Sequence, residues 1–199
     1  MEQNHHTKSD QNFLTKMAFL DSKQRENFIP PDILLNQMPI MKNDTLLDVG
    51  AGTGFFTIPM AEMTSDKVYA LDPDKRMLRV IEDKALTKGI SNIEYIPDYI
   101  ENLSLKYNSV DFAMASLILH EVKSLPLTLS IIHNVLKEGG HILCLEYEKD
   151  NTIIEGPPMS IRIHSNDLEK NLISLGFEIV SKTKINETIY TFLATKKEK

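Results

Sequence analysis

The stretch TLLDVGAGTGFFTIPMA, residues 45–61, constrains the fold more than any other part of the chain. An apolar run climbs to Asp48, glycines stand at 50, 52 and 54, and Phe55 and Phe56 then resume the apolar pattern. Glycines so spaced let the backbone turn sharply and approach a ligand with no Cβ in the way. Between a strand and a helix, such a loop marks the carboxyl edge of an open α/β sheet, where these folds bind ligands. The dinucleotide fingerprint G-x-G-x-x-G needs a third glycine for close helix packing behind a pyrophosphate. Counted from Gly50, Phe55 stands at that place, which disfavours a nicotinamide dinucleotide.

Beyond the loop the chain alternates short β-rich runs with helical patterns, the signature of a parallel sheet covered on both faces. Strands are predicted at 45–49, 67–71, 92–96, 110–115 and 140–147. A helix after Pro73 carries Met77, Leu78, Ile81 and Ala85 at helical spacing; a second carries Leu125, Leu129, Ile132 and Leu136 and is expected to close at Gly139 and Gly140. A last helix is expected to begin with Ser165 as N-cap and Asp167 in its first turn, to run through Leu168, Leu172 and Leu175, and to stop at Gly176. Strands at 177–182 and 188–194 follow, and so short a connection permits only an antiparallel pair.

The segment before Thr45 reads differently. Phe13, Leu14, Met17 and Leu20 mark an amphipathic helix, and Pro30 and Pro31 punctuate the approach to another with Ile33, Leu34 and Leu35. Neither buries its apolar face alone, so residues 1–44 are expected to cap a core of 45–199 within a single domain of 199 residues. The formal net charge of -6 opposes non-specific attraction to nucleic acid. The apolar run from Phe112 to Leu119 falls far short of the ~20 residues a membrane span needs, and the polar amino terminus lacks the apolar core of a secretory signal. One cysteine, Cys144, allows neither an intramolecular disulfide nor a cysteine-based zinc site, so the cytoplasm is the expected compartment. The paired His5 and His6 are given no function, and nothing in the sequence sets an oligomeric state.

Two acids follow the loop at successive strand ends. Asp72 lies 22 positions beyond Gly50, close to the ~20-residue offset at which an acid accepts from ribose hydroxyls. Asp98 ends the third strand, where it either accepts from an exocyclic amine or caps a turn.

In these residues the sequence resembles the class I S-adenosylmethionine-dependent methyltransferases. LLDVGAGTG matches their first motif, D/E-x-G-x-G-x-G; VYALDPDKRML, PDYIENLSL, SVDFAMASLILHEV and NVLKEGGHILCLEY are similar, in order, to their later ones. The flavour is that of small-molecule enzymes of the ubiquinone and menaquinone biosynthesis group. The resemblance implies an α/β, Rossmann-like three-layer sandwich with a seven-stranded, mostly parallel sheet whose last strand is antiparallel. It implies S-adenosyl-L-methionine as cofactor and S-adenosyl-L-homocysteine as product. Asp48, Gly50, Gly52 and Gly54 would shape the methionine end of the pocket, with Ala51 and Phe55 adjoining; Asp72 would take the ribose, with Pro73 and Met77 near the adenine. Asp98 would accept from the adenine amine beside Tyr99, and Ser116 and Leu117 would meet the methionine portion.

A sulfonium methyl is already activated, so such a protein chiefly holds a nucleophile in line with it. His120, after the fourth strand, is the candidate base, since an ordinary histidine pKa suits proton removal near neutrality; the alternative is a helix cap or a wall residue. Glu121, Glu146 and Arg162 are candidate substrate contacts, against the plainer readings of solvated acids, a helix-end partner and a surface ion pair. No spacing supports a metal site. Methyl transfer to a small molecule is the leading expectation. The rivals are a cofactor-binding regulatory or partner protein without catalysis and an NAD(P)-dependent oxidoreductase.

Overall fold

The computed structural model describes residues 8–154 and 156–198, so His5 and His6 lie outside it. Seven strands form one sheet: β1 (Leu46–Val49), β2 (Val68–Leu71), β3 (Ile93–Ile96), β4 (Val110–Ser116), β5 (Leu136–Tyr147), β6 (Phe177–Lys184) and β7 (Ile189–Lys196). Their order across the sheet is β3-β2-β1-β4-β5-β7-β6, parallel except where β7 runs antiparallel between β5 and β6. All seven strands stand within a few residues of their predicted places.

The helices are α1 (Lys8–Leu20), α2 (Lys23–Phe28), α3 (Pro31–Leu35), α4 (Thr57–Met63), α5 (Lys75–Lys88), α6 (Leu125–Val135) and α7 (Ser165–Ser174). Leu47, Val49 and Ala113 pack toward Leu129 and Ile132 of α6 and Leu168 and Leu172 of α7. Their neighbours Leu46, Phe112 and Met114 pack toward Met60 of α4, Ile29 and Leu35 on the opposite face. Successive strand residues thus feed opposite layers, and every residue of β1 is buried, as a central parallel strand requires. Helix α5 buries the four expected residues Met77, Leu78, Ile81 and Ala85, each of the larger ones contributing about 1.5–3 kcal/mol. It starts at Asp74, whose side chain accepts from the Arg76 amide, and ends at left-handed Gly89.

Two helix ends differ from expectation. Helix α6 stops at Val135, and Leu136 opens β5 instead, because the buried Lys196 ammonium caps the helix by donating to the His133 and Leu136 carbonyls at 2.9 and 2.7 Å. The N-cap of α7 is His164, whose Nδ1 accepts from the Asn166 amide, while the Ser165 amide donates to Glu148 Oε1 at 3.0 Å. The amino-terminal segment also holds α2, a helix too short to show a period, which Ser22 caps by accepting from the Arg25 amide. Among the described residues no helix is long and apolar enough to cross a membrane.

Candidate active site

Strands β1 and β4 are neighbours whose connections leave in opposite directions, and a crevice opens at their carboxyl ends, as the fold dictates. A cavity of about 570 Å³ occupies it. Its floor is Gly50, Ala51 and Gly52 after β1, Asp72 after β2, and Ser116 to Glu121 after β4, apart from Leu119. Its roof is Leu20, Arg25, Phe28 and Ile29 from the α1–α3 segment, and one side is closed by Tyr147, Gly156 and Pro157.

Gly50 needs to be glycine: its φ is +71°, and a Cβ there would stand 2.5 Å from Ile118 Cγ1. The loop's amides are largely committed within the protein. Gly50 and Ala51 donate to the Leu71 carbonyl at 2.9 and 3.0 Å, Gly52 to Asp72 Oδ2 at 2.9 Å, and Gly54 to the Ala51 carbonyl at 2.9 Å. The glycine amides so bonded are not offered to a pyrophosphate, which agrees with Phe55 at the third fingerprint position. Asp72 also accepts from the Asp74 amide at 2.9 Å, so both its oxygens are aimed by backbone at the cavity edge; burial pushes its carboxyl up, against those two bonds.

Asp48 lies beneath the loop, 3% exposed, and accepts from Thr57 Oγ1 at 2.6 Å. Burial pushes its carboxyl up to about 6, opposed by Thr57 and by the charge of Arg25. Expected to shape the methionine end of the pocket, it stands beneath the loop and does not itself line the cavity. Gly54 is likewise turned away, toward Ile81 of α5 at 3.0 Å from a built Cβ. Phe55 carries the Arg25 guanidinium 4.2 Å above its ring.

The adenine side is more dispersed. Met77 lines a separate hollow of about 440 Å³ with Phe13, Lys16 and Arg76, while Pro73 is exposed beside Asp72. Asp98 Oδ1 accepts from the Tyr99 amide and Asn102 Nδ2, both at 2.7 Å, so it holds the 3-10 turn Ile100–Asn102; Tyr99 is 56% exposed. Neither Asp98 nor Tyr99 lines the main cavity.

At the other end, His120 Nδ1 lies 2.7 Å from Glu146 Oε2, and the Leu119 amide donates to Glu146 Oε1 at 2.7 Å. Glu146 on β5 is wholly buried, so it stands behind His120 and not on the wall where a substrate would touch it. A carboxylate only accepts, so Nδ1 carries the hydrogen and Nε2 is left as the basic nitrogen. Burial lowers the imidazole pKa, but the hydrogen bond and charge of Glu146, then Glu121, outweigh it and hold it above the ordinary value, Arg162 opposing. Glu121 lines the cavity, 3.9 Å from His120 Nε2 and 3.9 Å from Lys16 Nζ. Arg162, 4% exposed, departs from its expected place in the cleft: its Nε donates to the Pro157 carbonyl at 2.8 Å and Nη1 to Glu148 and Ile153 carbonyls at 3.3 Å. It ties down the loop whose Gly156 and Pro157 form the wall.

Leu117 adopts a left-handed backbone, φ +54°, and Ser116 Oγ is buried with no hydrogen-bond partner. Strain and an unmatched hydroxyl, both on the cavity floor, are the marks of a ligand contact. Sequence reasoning missed Arg25. Its only local signal was Ser22 three residues earlier, since α2 has no readable apolar stripe. Among the described residues no cluster of metal-ligating side chains occurs.

Residues 47–144 match the methyltransferase domain family. Over 115 residues the chain is 34% identical to a demethylmenaquinone methyltransferase of Geobacillus stearothermophilus, covering 57% of this chain and 49% of that protein. The chain spans about half the length of the curated relatives it matches. A solved S-adenosylmethionine-dependent methyltransferase from Aquifex aeolicus superposes with a TM-score of 0.83 over 92% of this chain and 97% of that one, at 23% identity. The [4+2]-cyclase SpnF superposes at 0.79 over 89% and 83%, at 19% identity, so the fold alone leaves the reaction open. The cofactor of the family is S-adenosylmethionine, and the residues fit it: a glycine floor that a Cβ would fill, the acid Asp72 and the unmatched Ser116 hydroxyl surround one cavity. Residues 47–144 thus carry a methyltransferase domain, and the ordered motifs and strand order around it are those of the class I S-adenosylmethionine-dependent methyltransferases.

Proposed function

We propose that this chain transfers a methyl group from S-adenosylmethionine to a small-molecule acceptor that loses a proton in the reaction. The observation that carries the proposal is the pair His120 and Glu146: a histidine lining the same cavity as the glycine loop, with its Nδ1 held at 2.7 Å by a wholly buried carboxylate. When bound, the cofactor supplies a methyl already activated on a sulfonium sulfur.

The chain's residues then have separate tasks. Asp72 accepts from the ribose hydroxyls, and Asp98 and Met77 serve the adenine side. The glycine floor and Ser116 hold the amino-acid end. Phe28, Ile29, Leu117 and Tyr147 give the cavity apolar walls that exclude water and suit an acceptor with an apolar body. His120 Nε2 would take the acceptor's proton as the acceptor bonds to the methyl carbon and the carbon–sulfur bond breaks, with S-adenosylhomocysteine as the leaving group, and Glu146 would stabilise the resulting imidazolium. In-line positioning supplies about 7–11 kcal/mol of barrier reduction and a base about 10²–10⁴-fold in rate. Residues 8–44 act as the cap of the same unit. The acidic balance of the chain speaks for a small molecule over a nucleic acid, and the relatives' names make hydroxylated quinone precursors the first acceptors to assay.

The test is a labelled-methyl assay over a panel of phenols, quinols and other hydroxylated small molecules, run with S-adenosylhomocysteine binding by calorimetry. Labelled product that disappears in His120→Ala, with homocysteine-nucleoside binding retained, supports the proposal. Tight S-adenosylhomocysteine binding with no product from any acceptor favours the non-catalytic binding protein. Saturable NAD(P) binding with no response to S-adenosylmethionine overturns both.

A further inference from the structure

The Arg25 side chain is under-satisfied where it stands. Its guanidinium reaches the cavity wall from α2, above the Phe55 ring. Among the described residues the one acceptor it meets is the Leu20 carbonyl, 3.2 Å from Nη1, while Nε is buried and donates to nothing. Burial pulls its pKa down, and Asp48, Tyr147 and Asp21 compensate without a hydrogen bond. The buried acid that acts most on its charge, Asp48, accepts from Thr57 with Oδ2 and is itself pushed up to about 6 by burial. A half-buried cation in this state gains from an anion that arrives in the cavity.

The proposed reading puts a free amino-acid end, with its carboxylate, on the glycine floor. That floor is poor in donors: the amides of Gly50, Ala51, Gly52 and Gly54 already bond within the protein at 2.9–3.0 Å. Lys16, the other cation on the wall, is paired with Glu121 beside His120. Arg25 alone stands over the loop, stacked on the residue that follows Gly54.

We infer that Arg25 is the receptor for the α-carboxylate of the bound cofactor, so that the cofactor's amino-acid tail, and not its nucleoside, fastens the amino-terminal cap onto the core. The inference rests on the methyl-donor reading above. It places a cofactor contact outside the matched domain, which begins only at residue 47. It also couples occupancy to closure: α1 has no buried residue of its own, and the next segment gains a charged anchor only when the carboxylate is present.

Calorimetry compares S-adenosylhomocysteine with S-adenosyl-3-thiopropylamine, which keeps the nucleoside and the amine and lacks the carboxylate. Wild-type protein is expected to bind the first about 10- to 100-fold more tightly, the span of a charge-assisted hydrogen bond. In Arg25→Gln that ratio falls to about two or below while the decarboxylated compound keeps its wild-type affinity. Hydrogen exchange of residues 8–28 in wild-type protein, which needs no variant, slows with S-adenosylhomocysteine and not with the decarboxylated compound. Equal affinities in wild-type protein, or equal slowing of the cap, overturn the inference while leaving the cofactor assignment standing. Failure of wild-type protein to bind either nucleoside overturns the cofactor reading and this inference with it.

Discussion

The two walls of the cavity are built on different physics. The floor extends strands whose residues are almost all buried, and its loop is locked by backbone hydrogen bonds near 2.9 Å. The roof hangs from Ile29 and Leu35, both buried, but α1 and α2 bury no side chain fully. Helix α1 and the turn after it are held by charge: Arg76 to Asp10 at 3.8 Å and Lys16 to Glu121 at 3.9 Å on the helix and Lys84 to Asp21 at 2.8 Å just beyond it, all between partly exposed groups. Exposed pairs are each worth ~0–1 kcal/mol and are screened by salt. The floor is therefore preorganised for ligand geometry, whereas the roof is cheap to open and admits ligand.

Gly50→Ala attacks the floor at its tightest point and has the largest expected effect. The added Cβ meets Ile118 at 2.5 Å and must also adopt φ +71°. S-adenosylhomocysteine affinity is expected to fall by ~100-fold or more, because the loop moves off its bonds to Leu71 and Asp72. Gly89→Ala is the control: φ is +69° and nothing lies within 4 Å, so it loses only about 1–2 kcal/mol of stability and binds normally. Equal binding losses in the two variants would contradict a steric role for position 50.

Next in size is Glu146→Gln, which leaves His120 in place but removes the charge behind it. With an accepted substrate, kcat is expected to drop by about 10–100-fold with KM little changed. The pH profile carries the sign. His120 must be neutral to act, so wild-type rate rises through a pKa above the ordinary histidine value; without Glu146 the burial effect dominates and the rise moves to lower pH. A rise that stays put shows that Glu146 does not set the base.

The same contrast explains what the sequence disclosed. The floor was legible because strand burial, glycine spacing and the acid at Asp72 are local patterns with one structural solution each. The pairing of His120 with Glu146 was not, since 26 residues separate them and only the β4–β5 register brings them together. The same holds for the early stop of α6, where Lys196 arrives from the last strand to replace a glycine cap. Arg162, whose loop reads as facing the cleft, is buried behind the wall that Gly156 and Pro157 form, because carbonyls of Pro157, Glu148 and Ile153 hold it there. The roof left the weakest trace: α2 has six residues, fewer than two turns, so Arg25 had no period to betray it.

Asp48→Asn probes the support beneath the floor. The folded-state carboxyl is raised to about 6, mainly by burial, above its unfolded value. Its contribution to stability is thus fully present below the unfolded pKa near 4 and is lost as pH rises through 6. Near pH 8 the buried charge costs on the order of 2–3 kcal/mol, and the neutral isostere is relieved of it while still accepting from Thr57. The variant is expected to melt higher than wild type at pH 8 and to lose that advantage by pH 4; an unchanged difference across the range contradicts a strained, ionised Asp48.

The smallest expected effect lies in the roof. Asp21 joins cap to core twice, accepting from Thr53 Oγ1 at 2.6 Å and from Lys84 Nζ at 2.8 Å. Asp21→Ala is expected to change global stability by about 1–2 kcal/mol, since the Lys84 pair is partly exposed while the buried Thr53 hydroxyl is left without its acceptor. What it should change is the rate of opening: hydrogen exchange across residues 8–20 accelerates and S-adenosylhomocysteine leaves up to about fivefold faster, with its association rate little altered. Raising salt should reproduce part of this acceleration in wild-type protein and less in the variant, because one of the screened pairs is already gone. If the variant instead melts as deeply as Gly50→Ala, the cap is part of the rigid body, and the division between a fixed floor and a movable roof is wrong.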